Sequence, residues 1–171
     1  MRIVCDSSTL ILLEKTKLLG MILRNNEVII PKEVYKEAVS KGKKGKHPDS
    51  YEIERKINKG IIKVVEIKDK REFKEIRKNF NLAKGETEAI ILLHEVKGDV
   101  VALDDLKAMK YCVYNKIPFI TTINLLLDSF DKRLISKQKA KEMIKNLGIF
   151  GRYRNEIIFY ALDYLEGRKR K

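Results

Sequence analysis

The chain has no tryptophan, two histidines (His47 and His94), two cysteines and one glutamine (Gln138) in 171 residues. With so few histidines and no G-x-S-x-G step, a histidine-based ribonuclease and a Ser–His hydrolase are excluded. His94 lies on the polar margin of an apolar helix and His47 in a basic loop, so neither reads as a ligand or catalyst. Cys5 and Cys112 each sit in an apolar stretch. They read as buried thiols, not a disulfide, which fits a reducing cytoplasm. No run approaches the roughly 18 apolar residues of a membrane span. The chain opens on a single Arg before a strand, unlike a secretory leader. Internal repeats and Pro/Gly/Ser linkers are also missing, so the length reads as one domain with a real core.

What the chain has in excess is positive charge. Lys+Arg 37 against Asp+Glu 24 gives +13, which calls for an anionic partner, nucleic acid ahead of an anionic membrane. Abundant Lys, Glu and Ile resemble thermophile usage.

Apolar runs alternate with helical patterns along the chain. Ile3–Cys5 reads as a strand, with Ser7 or Ser8 capping a helix from Thr9 to about Leu23. Glu27–Ile30 is a second strand, and Pro31 opens a helix to about Val39. Residues 41–49 form a basic, breaker-rich loop, and Ser50 caps a helix ending near Gly60. Ile61–Ile67, Asp99–Leu103 and Phe119–Thr121 complete five strands. Helices from about Asp69 to Phe80, from Gly85-Glu86 onward and from Asp104 to Asn115 separate them. Beyond Thr122 the pattern is helical: about Asn124–Phe130, Ser136–Leu147 and Asn155–Glu166, before a basic tail, Gly167–Lys171. Short strands separated by helices require right-handed crossovers and a parallel sheet covered on both faces, an α/β fold of three layers.

Against this basic background, acids gather where strands give way to helices. Carboxylates at the carboxyl ends of neighbouring parallel strands converge on one crevice, and clustered acidic oxygens suit a hard cation such as Mg²⁺. Asp6 follows the first strand at once; helix capping is its bland role, but Ser7 and Ser8 serve that role equally and leave Asp6 as a ligand. Glu86 lies in the first turn of an apolar helix, where it or Glu88 compensates the helix dipole, and Gly85 lets backbone approach a ligand. Asp104 and Asp105 end the fourth strand; one cap suffices, so one acid is surplus, with Asp104 the better ligand and Asp105 the reserve. Thr121, Thr122 and Asn124 offer neutral oxygens, read first as a strand end and a cap. Gly42–His47 lacks the spacing and hydroxyl of a phosphate loop. Tyr153, Phe159, Tyr160 and Tyr164 have the spacing of a packing face.

Five stretches taken in order carry a resemblance: Val4–Ile11, Val28–Glu37, Leu82–Ala89, Leu103–Ala108 and Ile120–Leu126. Together they resemble the PIN-domain nucleases, the family that includes the toxins of VapBC-type toxin–antitoxin pairs. The branch most similar is that of predicted nucleic-acid-binding PIN proteins. The resemblance implies a five-stranded parallel sheet in the order 3-2-1-4-5. It places a PIN-like domain at residues 1–130, with helices and a basic tail over 131–171 packed on it. It also implies Mg²⁺ or Mn²⁺ held by Asp6, Glu86 and Asp104, with Ser7 or Ser8 in support. Many members carry a fourth acid in a Thr-x-Asp step; here the step reads Thr122-Ile123-Asn124, a neutral amide in place of an anion.

The expected activity is metal-assisted hydrolysis of single-stranded RNA, with Asp105, Thr122 and Asn124 completing the catalytic set. Lys41, Lys43, Lys44, Lys46, Lys84, Lys107 and Lys110 are candidates for holding the RNA backbone. RNA is the expected partner, an antitoxin protein and a second copy of the chain are further candidates, and no membrane is expected. The rival from another class is a PIN-like module that binds RNA or protein without cutting.

Overall fold

The computed structural model describes residues 1–151 and 153–167, so the basic tail beyond Gly167 lies outside the described residues. Its centre is a five-stranded sheet in the order β3-β2-β1-β4-β5, with every neighbouring pair parallel. The strands are β1 (Arg2–Cys5), β2 (Glu27–Pro31), β3 (Ile62–Val65), β4 (Val100–Ala102) and β5 (Phe119–Ile120). The connecting helices are α1 (Ser7–Lys15), α2 (Leu19–Asn25), α3 (Lys32–Tyr35), α4 (Gly42–Lys44), α5 (Pro48–Asn58), α6 (Lys70–Phe80), α7 (Lys84–Glu95) and α8 (Leu106–Tyr114). The chain closes with α9 (Thr122–Asp131), α10 (Lys137–Phe150) and α11 (Asn155–Leu165).

Alternation along each strand splits the apolar residues between two cores, because successive side chains leave opposite faces of a sheet. Ile3, Cys5, Val28, Ile30 and Ala102 pack with α1, α2, α9, α10 and α11. Val4, Ile29, Val101 and Leu103 pack with α6, α7 and α8. Both faces are therefore buried, as parallel sheets require. Ala140, Met143, Ile144, Leu147, Ala161 and Leu165 belong to the first of these cores, so the C-terminal helices share the core of the sheet.

Several boundaries differ from those the sequence suggests, each for a local reason. The first helix begins at Ser7, and Asp6 itself is the cap, accepting from Thr9 N at 2.8 Å. The helix expected to run unbroken to about Leu23 stops at Lys15. Thr16 turns its hydroxyl back to Leu12 O at 2.7 Å, and Lys17 takes a left-handed φ of 63°. Neither residue is a breaker by type, so the break is silent in the sequence. The basic segment read as a loop over 41–49 is helical up to Lys44, through a wide turn over Lys36–Lys41 and then α4, and only residues 45–47 lie between it and α5. Burial of Ala38 and Val39 holds that turn in the core. Ser50 is not a cap; α5 begins at Pro48, where a missing N–H does no harm, and the Ser50 hydroxyl donates to His47 O at 2.6 Å. Likewise α8 begins at Leu106, not Asp104, because Asp105 caps it through Lys107 N and Ala108 N at 2.7 and 3.1 Å.

Candidate functional site

Order 3-2-1-4-5 makes the chain leave β1 toward β2 and return on its other side as β4. The crevice beyond the carboxyl ends of β1 and β4 is thus the switch point where α/β sheets take ligands. Register fixes what stands there. Cys5 pairs with Ala102, so Asp6 and Asp104 follow the ends of adjacent strands. Asp6 is buried, 1% exposed, with Oδ1 on Thr9 N and Oδ2 accepting from the Ser8 hydroxyl at 2.7 Å. Thr9 links the two acids, since its hydroxyl donates to Asp104 Oδ2 at 3.2 Å. Burial, with a smaller contribution from Asp104, pushes the Asp6 carboxyl up to about 7 against the opposing Thr9 and Ser8 hydrogen bonds. Burial and the same two acids also hold the Cys5 thiol protonated.

Asp104 is the more heavily satisfied of the pair. Its Oδ1 accepts from Thr122 N at 3.0 Å and from the Tyr153 hydroxyl. Its Oδ2 accepts from the hydroxyls of Thr122 at 2.5 Å and Thr9. Burial and the neighbouring Asp104 charge keep the Tyr153 phenol firmly protonated, as a donor must be.

A second group of acids is half-exposed beside the first. Glu86 accepts from Ala83 N through Oε2 at 2.9 Å, the acidic half of a capping box whose other half Ala83 lacks the side chain to make. Partial burial raises its carboxyl, and Asp105 and Glu37 raise it further while Lys107 opposes them. Glu86 is therefore near enough to Asp105 and Glu37 to feel both charges. Glu37, on the wide turn after α3, accepts from the Ser7 hydroxyl at 2.6 Å. It reaches α7 because residue 85 is glycine: a Cβ there would fall 2.6 Å from Glu37 Oε2. The close approach expected at Gly85 is thus made by an acid of the same chain. Glu88 turns elsewhere, accepting from Glu33 N at the start of α3.

Glu37 and Tyr153 are the site residues that sequence reasoning missed. Glu37 had a signal, since it lies within two helical turns of the β2 terminus. Tyr153 had none, because its spacing with Phe159, Tyr160 and Tyr164 is that of a packing face.

The other candidates are dispersed. Ser7 supports Glu37, Ser8 supports Asp6, and Thr122 holds Asp104 twice. Asn124 is exposed and lines an outer groove with Ile120, Leu127, Asp128, Lys132 and Tyr160, a groove lined by none of the five acids. The position expected for a fourth acid points away from them. Among the lysines, Lys107 stands beside Glu86, with Lys110 one turn farther along α8. Lys41 lines a groove with Glu37, Lys15 and His47. Lys44, Lys46 and Lys84 are exposed, whereas Lys43 is paired with Glu54 at 2.8 Å and sits over the Tyr51 ring.

As they stand, no three His, Cys, Asp or Glu side chains among the described residues are close enough to hold a metal ion. The donor set nevertheless suits one. All five acids present hard oxygens, and Glu37, Glu86 and Asp105 each use one carboxylate oxygen on the protein, leaving the other unbonded among the described residues. Like charges in a half-buried crevice need a counter-charge, and Lys107 supplies one against Glu86.

A family model described as a PIN domain matches residues 2–162. The chain belongs to the PIN-domain family. The match spans β1 through most of α11, and the strand order is that expected of a PIN domain. It brings a nuclease-type fold, in a family whose nucleases generally use divalent metals. No curated protein and no solved structure matches the chain. No helix among the described residues is long and apolar enough to cross a membrane.

Proposed function

We propose that this PIN domain hydrolyses phosphodiester bonds of single-stranded RNA with Mg²⁺ or Mn²⁺. The observation that carries this reading is the placement of acids about the carboxyl ends of β1 and β4 in a +13 chain, with Asp6 near Asp104 and Glu86 near Asp105 and Glu37. Asp6, Glu37, Glu86, Asp104 and Asp105 would hold the cation. Once bound, it would lower the pKa of a coordinated water and neutralise charge on the scissile phosphate.

The chain's own residues supply orientation and charge. Thr9 and Thr122 fix Asp104, Ser8 fixes Asp6 and Ser7 fixes Glu37, so few rotamers remain to be frozen when substrate arrives. Lys107 and Lys110 lie on one face of α8 next to Glu86, and Lys15 and Lys41 flank the groove beyond Glu37. A single strand crossing the crevice would meet lysines on both sides of the acids. Lys43, held by Glu54, contributes least.

Cleavage of an end-labelled single-stranded RNA, with Mn²⁺ and with chelator, tests this reading. The expected products carry 5′-phosphate and 3′-hydroxyl ends, and Glu86→Gln should abolish them. Cleavage indifferent to both chelator and Glu86→Gln would refute the assignment. A second reading, an RNA-binding module without hydrolysis, is favoured by one observation: protein donors fill the acceptor positions of Asp104. Salt-sensitive RNA binding with no Mn²⁺-dependent product would select it.

A further inference from the structure

Among the five acids, Asp104 alone has both oxygens doubly engaged. An ionised carboxylate has about four lone-pair positions. Asp104 fills them with Thr122 N and the Tyr153 hydroxyl on Oδ1, and the Thr122 and Thr9 hydroxyls on Oδ2. Any further ligand of Asp104 must therefore displace a donor.

The four donors are not equally fixed. Thr122 gives two of them from the first turn of α9. Thr9 is held in α1, its own N–H on Asp6. Tyr153 comes from the connection between α10 and α11, far along the chain. The other hydrogen bond of its hydroxyl, accepted from Ile123 N, is long at 3.3 Å. Its ring packs against the apolar core independently of the hydroxyl. Tyr153 is thus the donor whose departure disturbs least.

Building on the cation reading above, we propose that Tyr153 is a positioning residue for Asp104, its hydroxyl competing with a divalent cation for Oδ1. Without the cation, the phenol holds the carboxylate toward Thr9 and Asp6. With a cation on Asp104, the phenol would give way and the hold of Tyr153 on the start of α9 would loosen. The C-terminal helices, remote in sequence from the acids, are thereby coupled to occupancy of the site.

Titration calorimetry with Mn²⁺ alone on the full chain tests the competition. Tyr153→Phe keeps the packed ring and removes the hydroxyl. It should bind Mn²⁺ about tenfold more tightly, the effect of one hydrogen bond to a charged group no longer having to be broken. A purely structural tyrosine would not tighten binding when truncated, so equal or weaker affinity overturns the proposal. The wild-type protein gives a readout that does not depend on the variant folding. Mn²⁺ should speed hydrogen exchange at the Ile123 amide, and unchanged protection there also overturns it. If both proteins bind Mn²⁺ alike, the competition falls and the cation reading stands. If neither binds, both fall.

Discussion

Asp104 and Glu86 open on the same crevice, yet the fold treats them in opposite ways. Asp104 follows a core strand and is held by three side chains and a backbone amide from α1, α9 and the α10–α11 connection. Glu86 lies in the first turn of α7, half-exposed, with a single backbone partner and one carboxylate oxygen unbonded among the described residues. Asp6, buried and capping α1, belongs with half-buried Asp104, since both use their two oxygens on protein donors. Glu37 and Asp105 belong with Glu86, each engaged through one oxygen only. Hydrogen bonding thus divides these acids into a pair held through both oxygens and a set with one oxygen free for a ligand among the described residues.

The largest effect should come from the acids held through both oxygens. Asp104→Ala leaves Thr122 N and three hydroxyls without their acceptor, in a region only partly open to water. Unmet polar groups cost about 1–3 kcal/mol each where burial is complete, so a total loss of about 3 kcal/mol is expected in urea midpoints. A loss below about 1 kcal/mol would show that the network does not hold the fold.

Glu86→Gln and Glu37→Gln should do the reverse. Stability should change by less than about 1 kcal/mol, as for most half-exposed positions, while Mn²⁺-dependent cleavage falls about 100-fold or more. Comparable losses of stability in both groups would erase the distinction drawn here.

Gly85→Ala refines the comparison. Its Cβ would meet Glu37 Oε2 at 2.6 Å, so the flexible end of Glu37 must shift. Alanine favours a helix by about 1 kcal/mol over glycine, and stability should hardly move. Mn²⁺ affinity should nonetheless fall about tenfold, since the set with a free oxygen is rearranged. Unchanged affinity would remove Glu37 from the cation set.

The most delicate effect is a pH dependence. In the metal-free fold Asp6 holds its proton to about 7, against an ordinary value of 3.8. Its folded pKa is raised, so its unfolded form releases the proton first, and the wild type loses stability as pH rises between those values. Asp6→Asn, which still caps a helix, should gain on the wild type across that window, in melting curves without metal. A difference between the two that does not vary with pH would mean that Asp6 is ionised throughout.

What could be read without coordinates follows the same division. Asp6 and Asp104 were legible because an apolar strand announces where it stops, and the acid after it stands at the sheet's edge. Glu86 was legible as a first-turn acid and Asp105 as a strand-end cap or reserve ligand, although which oxygen serves the helix and which stays free depends on cap geometry. Glu37 escaped because its place depends on a wide turn and on a glycine 48 residues away in sequence. The break after Lys15 escaped because Thr16 and Lys17 are not residues that stop helices on their own. Asn124 lines an outer groove because a strand end fixes where a residue starts, not which way the helix after it turns the side chain.

Manganese soaked into crystals of the wild-type protein, and located by anomalous scattering, tests the central claim most directly. The account predicts a peak at the β1/β4 switch point, at roughly 2.0–2.6 Å from carboxylate oxygens among Asp6, Glu37, Glu86, Asp104 and Asp105, as hard cations require. A peak elsewhere on the molecule, or none at a concentration that supports cleavage, would contradict it.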